Sequence, residues 1–208
     1  MIPLHKKLRF LFVMLTALLL TACATTNLAN EKFTQWQTAA QAGDAKAQYK
    51  LGAAYASGQG VTKDNVKAVE WLQKSANQGN APAQNGLSVM YLKGLGGAKD
   101  DIKAIEWLQK SALQGYPKAQ YNLAILYKNG QVIPKNEEQA AAWLNQAALQ
   151  GDAVAQSDLG MMYASGIGVA QNTATAIEWL QKAAAQGNSE AKNRLAGLYA
   201  QHLNRPSN

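Results

Sequence analysis

The chain has 208 residues, of which 48% are hydrophobic and 16% are charged. This composition is typical of globular proteins and excludes the class of disordered chains, which are poor in apolar residues. The formal net charge is +7, but three of the cations, Lys6, Lys7 and Arg9, lie in the first nine residues. Without them, 17 cations stand against 13 acids and the net charge is +4, so the rest of the chain is only modestly basic.

The N-terminal segment has the pattern of an export signal. The early cations precede an apolar run of 11 residues from Phe10 to Leu20, which suits a signal-peptide core and is too short to span a bilayer. The run ends in the sequence Leu-Thr-Ala-Cys at Cys23, which resembles a bacterial lipobox. The resemblance implies a signal peptide at residues 1–22 and cleavage before Cys23, whose acylation, for example with palmitate, anchors the chain. The alternative is a free cysteine beside an ordinary cleavage site, which would have no reason to follow the apolar run so closely.

The residues after the lipobox predict the location of the mature protein. Residues 23–32 form the lipidated cysteine and a short linker, and Ala24 stands where an aspartate would resemble an inner-membrane retention signal. We therefore expect an anchor in the outer membrane, with the protein facing the periplasm. Because Cys23 is the only cysteine, no intramolecular disulfide can form and stability must come from packing.

An internal repeat occupies most of the remaining sequence. The string EWLQKSANQG ends at Gly79, and close copies of it end at Gly115 and Gly187. Alignment on these glycines gives four units of 36 residues, at 44–79, 80–115, 116–151 and 152–187. A partial unit precedes them at 33–43, and a partial helix with a tail follows at 188–208. A fixed period of this length is typical of helical repeat architectures.

Each unit contains two predicted helices, which we call helix A and helix B. Helix A carries small or apolar residues four apart, such as Ala47, Leu51 and Tyr55 in the first unit, and this spacing marks one helical face. We expect Gly58 to end helix A in the left-handed conformation and Asp64 to cap the N-terminus of helix B. The equivalent residues in the other units are Gly94, Gly130 and Gly166 for the glycine, and Asp100, Asn136 and Asn172 for the cap.

Helix B combines a Trp-Leu pair with small alanines and carries a recurrent pair of charges. Glu70 precedes Lys74 by four residues, the favourable order for a surface ion pair worth roughly 0.2–0.5 kcal/mol, and the second and fourth units repeat the pair. The third unit replaces both partners together, with Ala142 and Gln146. This joint loss indicates that the glutamates are a solvated structural device and not catalytic groups.

The repeated motif A-x-x-x-L-G-x-x-Y-x-x-G-x-G-V, followed by K-A-x-x-W-L-x-K-x-A-x-Q-G, resembles the SEL-one-like repeat, a relative of the tetratricopeptide repeat. The resemblance covers residues 33–200. It implies an all-α fold, a right-handed superhelical solenoid of helix-turn-helix repeats. The third unit departs from the motif, with Val132 in place of a glycine and with Pro134, and we expect its loop to follow another path.

The resemblance also implies that helix A lines the concave side of the solenoid, where such proteins hold other proteins. The positions of helix A that avoid the Ala-Leu-Tyr stripe carry aromatic, aliphatic and methionine side chains with several lysines, a mixture that suits a partly acidic protein segment. The alternative is that the apolar members only extend the core. The candidate residues are Lys46, Tyr49, Asn85, Val89, Lys93, Lys118, Tyr121, Ile125, Lys128 and Met161.

Other classes of function find little support in the sequence. After signal removal the chain has one histidine, His202, and its only cysteine is the acylated one. No metalloprotease, nucleophile-elbow or phosphate-loop motif is present, so we expect no enzyme activity, no cofactor and no metal. We expect no nucleic-acid partner, because an exported protein rarely meets nucleic acid and the signal peptide supplies part of the positive charge.

Two hypotheses for the partner remain open. The first is a membrane-anchored scaffold that holds other envelope proteins. The second is an immunity protein, because repeat lipoproteins of this kind resemble those that accompany phospholipase effectors of type VI secretion. The sequence does not separate these two roles.

Overall fold

The computed structural model describes residues 31–203, with side chains as far as residue 200, and within this range the chain forms ten α-helices and no strand. The predicted signal peptide and Cys23 lie outside the described residues. None of the helices in 31–203 is long and apolar enough to cross a membrane. The helices are α1 (31–41), α2 (Ala45–Ser57), α3 (Asn65–Asn77), α4 (Ala81–Lys93), α5 (Asp101–Leu113), α6 (Pro117–Asn129), α7 (Glu137–Leu149), α8 (Ala153–Ser165), α9 (Thr173–Ala185) and α10 (Ser189–Leu203).

The helices fall into two compact units. The first unit contains α1 to α3 together with residues 95–97, and the second contains α4 to α10 without those three residues. In each complete repeat helix A packs on helix B, as in α2 with α3 and α6 with α7. Within the second unit, each helix B also packs on the helix A that follows it, so α5 contacts α6, α7 contacts α8, and α9 contacts α10. The all-α class and the consecutive helix-pair repeats predicted from the sequence are confirmed.

The predicted helix boundaries are confirmed by the backbone. Gly58 ends α2 with a φ of 79°, and its N–H donates to the carbonyl of Ala54. Asp64 has extended backbone angles before α3, and its carboxylate accepts a hydrogen bond from the N–H of Lys67. The same caps recur along the chain, with Gly130 and Gly166 after α6 and α8, and with Asp100, Asn136 and Asn172 before α5, α7 and α9.

The core consists of the repeated leucines and alanines. Leu123 of α6 and Leu144 of α7, for example, are at most 1% exposed, and the alanines around them are buried as well. The repeated tyrosines and tryptophans are only half-buried, apart from Tyr199, which is exposed. The aromatic rings therefore cover the edges of each helix pair and are not its centre.

The glutamine of the Gln-Gly pair at the end of helix B connects helix B to helix A of the same repeat through a side-chain hydrogen bond. In the second unit the Nε2 of Gln150 donates to the Oε1 of Gln120 at 2.8 Å, and the Nε2 of Gln120 donates to the carbonyl of Ala112 at 3.2 Å. Gln120 is buried, so both of its amide ends need partners. Equivalent glutamine pairs are Gln48–Gln78 in the first unit, and Gln84–Gln114 and Gln156–Gln186 in the second.

The lysines of helix B contact tryptophan instead of the expected glutamate. The Nζ atoms of Lys74, Lys110 and Lys182 lie 4.2, 4.3 and 4.3 Å from the centroid of the Trp ring three residues earlier in the same helix. Among the residues that the structure describes, the predicted Glu–Lys salt bridges do not form. A cation above an exposed aromatic face is worth about 0.5–1 kcal/mol, which is comparable to the surface ion pair it replaces.

The loop after helix A differs in the third repeat, as predicted. In the fourth repeat Gly168 has a φ of 68°, and a Cβ there would overlap the carbonyl of Glu137 at the start of α7. Gly60 and Gly96 also have positive φ, but no non-glycine residue among those described does. Val132 therefore cannot repeat the glycine conformation, because its Cβ disfavours that region.

Candidate protein-binding face

Helices α4, α6, α8 and α10 lie side by side along one side of the second unit. The Nδ2 of Asn122 in α6 donates to the Oδ1 of Asn85 in α4 at 2.8 Å. The hydroxyl of Tyr121 in α6 donates to the Oδ2 of Asp158 in α8 at 3.4 Å. Direct bonds between successive A helices are expected on the inner side of a solenoid. We call the surface formed by residues 85–93, 118–128, 157–161 and 190–194 the A-helix face.

The predicted site residues lie on A helices and none is buried. In the second unit the lysines are exposed, and Val89, Tyr121, Ile125 and Met161 are half-buried. Lys46 and Tyr49 lie on α2 of the first unit, where Lys46 is exposed and Tyr49 is half-buried. The remaining second-unit residues are Asn85 and Lys93 on α4, and Lys118 and Lys128 on α6. Their role in binding stays a prediction.

Two of the half-buried side chains also contribute to the core. Met161 packs against the cluster of Leu180, Ala183 and Ala191, and Tyr121 packs against the cluster that includes Leu144. Each of these two residues therefore has one side in the core and another side on the A-helix face. The alternative interpretation was that apolar residues here extend the core. It holds for the part of each side chain that packs inward, while the rest of the side chain remains accessible to solvent.

A charged cluster occupies the C-terminal part of the face. Arg194 donates to Asp158 Oδ1 at 2.8 Å, to Ser157 Oγ at 2.9 Å and to Glu190 Oε1 at 2.5 Å. Side-chain exposure is 11% for Asp158 and 23% for Arg194, so the pair is shielded from water and joins α8 to α10. Burial, followed by the neighbouring Asp158 carboxylate, raises the pKa of Tyr121 to about 12. The phenol therefore remains a neutral donor at physiological pH.

This cluster was not predicted from the sequence. Asn122, Asp158 and Arg194 occupy one repeat position, which lies one residue after the position of Tyr121. The helical spacing used to choose the face residues passed over that position. The sequence did contain a signal for the cluster: this position changes from Asn122 to Asp158 to Arg194 in successive repeats. Side chains of these types can form hydrogen bonds and ion pairs between adjacent helices.

The arrangement is suited to recognition. Lys93, Lys118 and Lys128 are exposed and make no ion pair with a described residue, so the face from α4 to α6 presents uncompensated positive charge beside apolar side chains. Across residues 31–203, no group of three His, Cys, Asp or Glu side chains lies close enough to hold a metal ion. The carboxylate of Asp158 is occupied by Arg194 and Tyr121.

Comparison with known proteins identifies the repeat. The Sel1 repeat matches residues 45–80, 81–116, 117–152 and 153–188. A Sel1 repeat protein from Oxalobacter formigenes is 38% identical with a TM-score of 0.76, and the match covers 82% of this chain and 49% of that one. A protective antigen of uropathogenic Escherichia coli strains with the SLR fold is 36% identical, with a TM-score of 0.77 over 82% of this chain and 36% of its own.

A third solved structure is an immunity protein from Pseudomonas aeruginosa, which is 28% identical with a TM-score of 0.55 over 76% of this chain and 59% of its own. No curated protein matches the sequence. The chain thus spans less than two thirds of the length of each of these three proteins.

Proposed function

The chain belongs to the Sel1 repeat family, and we propose that this repeat scaffold binds a protein partner on the A-helix face. The observation that supports the proposal is the row of half-buried Val89, Tyr121 and Ile125 beside the exposed lysines of α4 and α6. Apolar and aromatic anchors with a charged rim are typical of protein interfaces. The partner segment we propose is extended, with acidic residues facing Lys118 and Lys128.

A charge-reversal experiment tests this proposal. Residues 24–208 are used to capture proteins from an envelope extract, with the wild type compared with the double variant K118E/K128E. The matched control is K110E/K182E, which makes the same change of charge on two B helices. We expect one protein to be retained by the wild type and the control and lost with K118E/K128E. Equal capture by all three, or no specific protein, would refute the assignment.

We further propose that the protein is a lipoprotein of the cell envelope, anchored through Cys23 and facing the periplasm. Supporting this are the export pattern at residues 1–22 and the lipobox-like sequence before Cys23. The nine residues from 24 to 32 span at most roughly 30 Å, which would keep the repeats close to the membrane. Labelling with radioactive palmitate should mark the wild type and not Cys23→Ser. Wild-type protein that remains unlabelled and fractionates without membranes would contradict the anchor.

An immunity role is the second candidate, and the likeness to the immunity protein from Pseudomonas aeruginosa favours it. The partner would then be a secreted phospholipase-type effector, neutralised in the periplasm. Cells expressing the chain should survive when a candidate effector is directed to the periplasm, and cells expressing K118E/K128E should not. If the chain gives no protection but retains an envelope protein, the scaffold role is the correct one.

A further inference from the structure

The B-helix side of the second unit contains a cavity of about 410 Å³ in the third repeat. Its lining includes Gln139, Ala142, Trp143 and Gln146 of α7, together with Leu113 at the end of α5. Leu113 is 76% exposed, so the rim on that side is apolar and open to solvent. The volume is within the range of roughly 300–1,000 Å³ that is common for binding sites.

The third repeat differs from the others at the tryptophan of this cavity. In the other three repeats a lysine ammonium of the same helix lies 4.2 or 4.3 Å from the centre of the tryptophan ring. The equivalent of that lysine in the third repeat is Gln146, whose side chain is exposed and carries no charge. Trp143 therefore has no cation from its own helix over its ring.

A second lysine is also absent at the same cavity. Lys67 and Lys103 lie 5.5 and 5.7 Å from the ring centres of Tyr55 and Tyr91 in the first two repeats. Gln139 occupies that position in the third repeat and lines the cavity. The first two repeats have both lysines, the fourth has Thr175 here but keeps Lys182 over Trp179, and the third has neither.

The third repeat has an exposed carboxylate one turn earlier than the other repeats, at Glu138, whereas Ala142 replaces the glutamate that they carry one turn later. Glu138 is exposed, makes no ion pair with a described residue, and stands one helical turn before Ala142. The other repeats have Val66, Ile102 and Ala174 at this position. Because Ala142 lines the cavity, Glu138 adds a carboxylate to the surface of α7 on the turn before that lining residue, and a negative charge there favours the approach of a cation.

We propose that this cavity holds the cationic side chain of a protein partner, a lysine or an arginine, over the ring of Trp143. The occupant takes the place that the chain's own lysine fills in the other repeats, and Glu138 supplies the nearby negative charge. The surface is separate from the A-helix face and prefers the opposite charge. The proposal for this cavity therefore does not depend on the partner proposed for the A-helix face.

The test uses the full chain and a short peptide, acetyl-Gly-Gly-Lys-Gly-Gly-amide, with the tryptophan indole N–H signals followed by NMR. We expect millimolar peptide to shift the signal of Trp143 in a saturable way and to leave those of Trp107 and Trp179 unchanged, since their rings already carry a lysine. The same peptide with norleucine in place of lysine should have no effect.

Two variants with the same change of charge complete the experiment. Q146K restores the lysine of the other repeats and should abolish the shift of Trp143. Q109K adds a lysine at an exposed position of α5 outside the cavity and should leave the shift intact. No shift in the wild type, equal shifts at all tryptophans, or a shift that persists in Q146K would overturn the proposal.

Discussion

We expect substitution by alanine to have opposite effects on the free energy of unfolding at two buried serines of the second unit. Ser88 is completely buried, and its hydroxyl has no hydrogen-bond partner. Ser111 is equally buried, but its Oγ donates to the carbonyl of Ala81 at 2.6 Å. The third repeat has Ala124 and Ala147 at the same two positions, so the fold accommodates alanine at each.

The magnitudes follow from these contacts. A buried hydroxyl without a partner costs about 1–3 kcal/mol, so Ser88→Ala should raise the free energy of unfolding by about 1 kcal/mol. A satisfied hydrogen bond contributes about 0.5–1.5 kcal/mol, so Ser111→Ala should lower it by about 1 kcal/mol. For a chain of this size, each kcal/mol corresponds to a change of about 2–4 °C in Tm.

Urea unfolding followed by far-ultraviolet circular dichroism measures both changes. We expect the transition midpoint to rise for Ser88→Ala and to fall for Ser111→Ala, with the slope unchanged in both variants. The double variant should lie close to the wild type. A fall for Ser88→Ala similar to that of Ser111→Ala would refute the reasoning, because it would mean that the hydroxyl of Ser88 has a stabilising partner.

Three other predictions concern a loop, a helix surface and a titration. Gly168→Ala should lower the free energy of unfolding by more than about 1 kcal/mol, since the added Cβ would overlap the carbonyl of Glu137 at a positive φ. Gly197→Ala should instead raise it by about 1 kcal/mol, because that helical glycine has open space around it; equal urea midpoints for the two variants would contradict both. The pKa of Tyr121 is raised to about 12 in the folded protein. The resulting contribution to stability is complete below pH ~10, where the phenol of the unfolded chain is still protonated, and it is lost as the pH rises to about 12. Tyr121→Phe should therefore remove part of the alkaline loss of stability and the last step of the phenolate absorbance titration; an unaltered titration would contradict the shift.

Local signals explain why the helix boundaries could be predicted. Gly58 and Asp64 act on backbone groups within four residues of themselves, so their effect does not depend on the rest of the fold. The stripe of Ala47 and Leu51 likewise follows from helical spacing alone. Because the sequence repeats these signals at a fixed period, each repeat confirms the interpretation of the others.

Contacts between helices were harder to predict. The glutamine of the Gln-Gly motif was visible in the sequence, but its partner, such as Gln120 for Gln150, lies 30 residues earlier. The sequence pattern predicted that Lys110 pairs with Glu106, one turn earlier, and this was wrong because its ammonium lies over the ring of Trp107, three residues earlier. In the folded repeat the half-buried Trp ring is held in place by packing, so the flexible lysine stem covers it.

The contrast between constant and variable positions indicates where a partner can be selected. Buried positions such as Leu123 and Gln120 serve packing and hydrogen bonding between helices, and substitution there would disturb the fold. They carry the same residue in every repeat, so they cannot distinguish one stretch of a partner from another. Tyr121 and Ile125, by contrast, lie at positions that differ from repeat to repeat. If a partner binds at the two surfaces proposed above, its specificity would arise from the variable side chains of the A-helix face and from the altered third repeat.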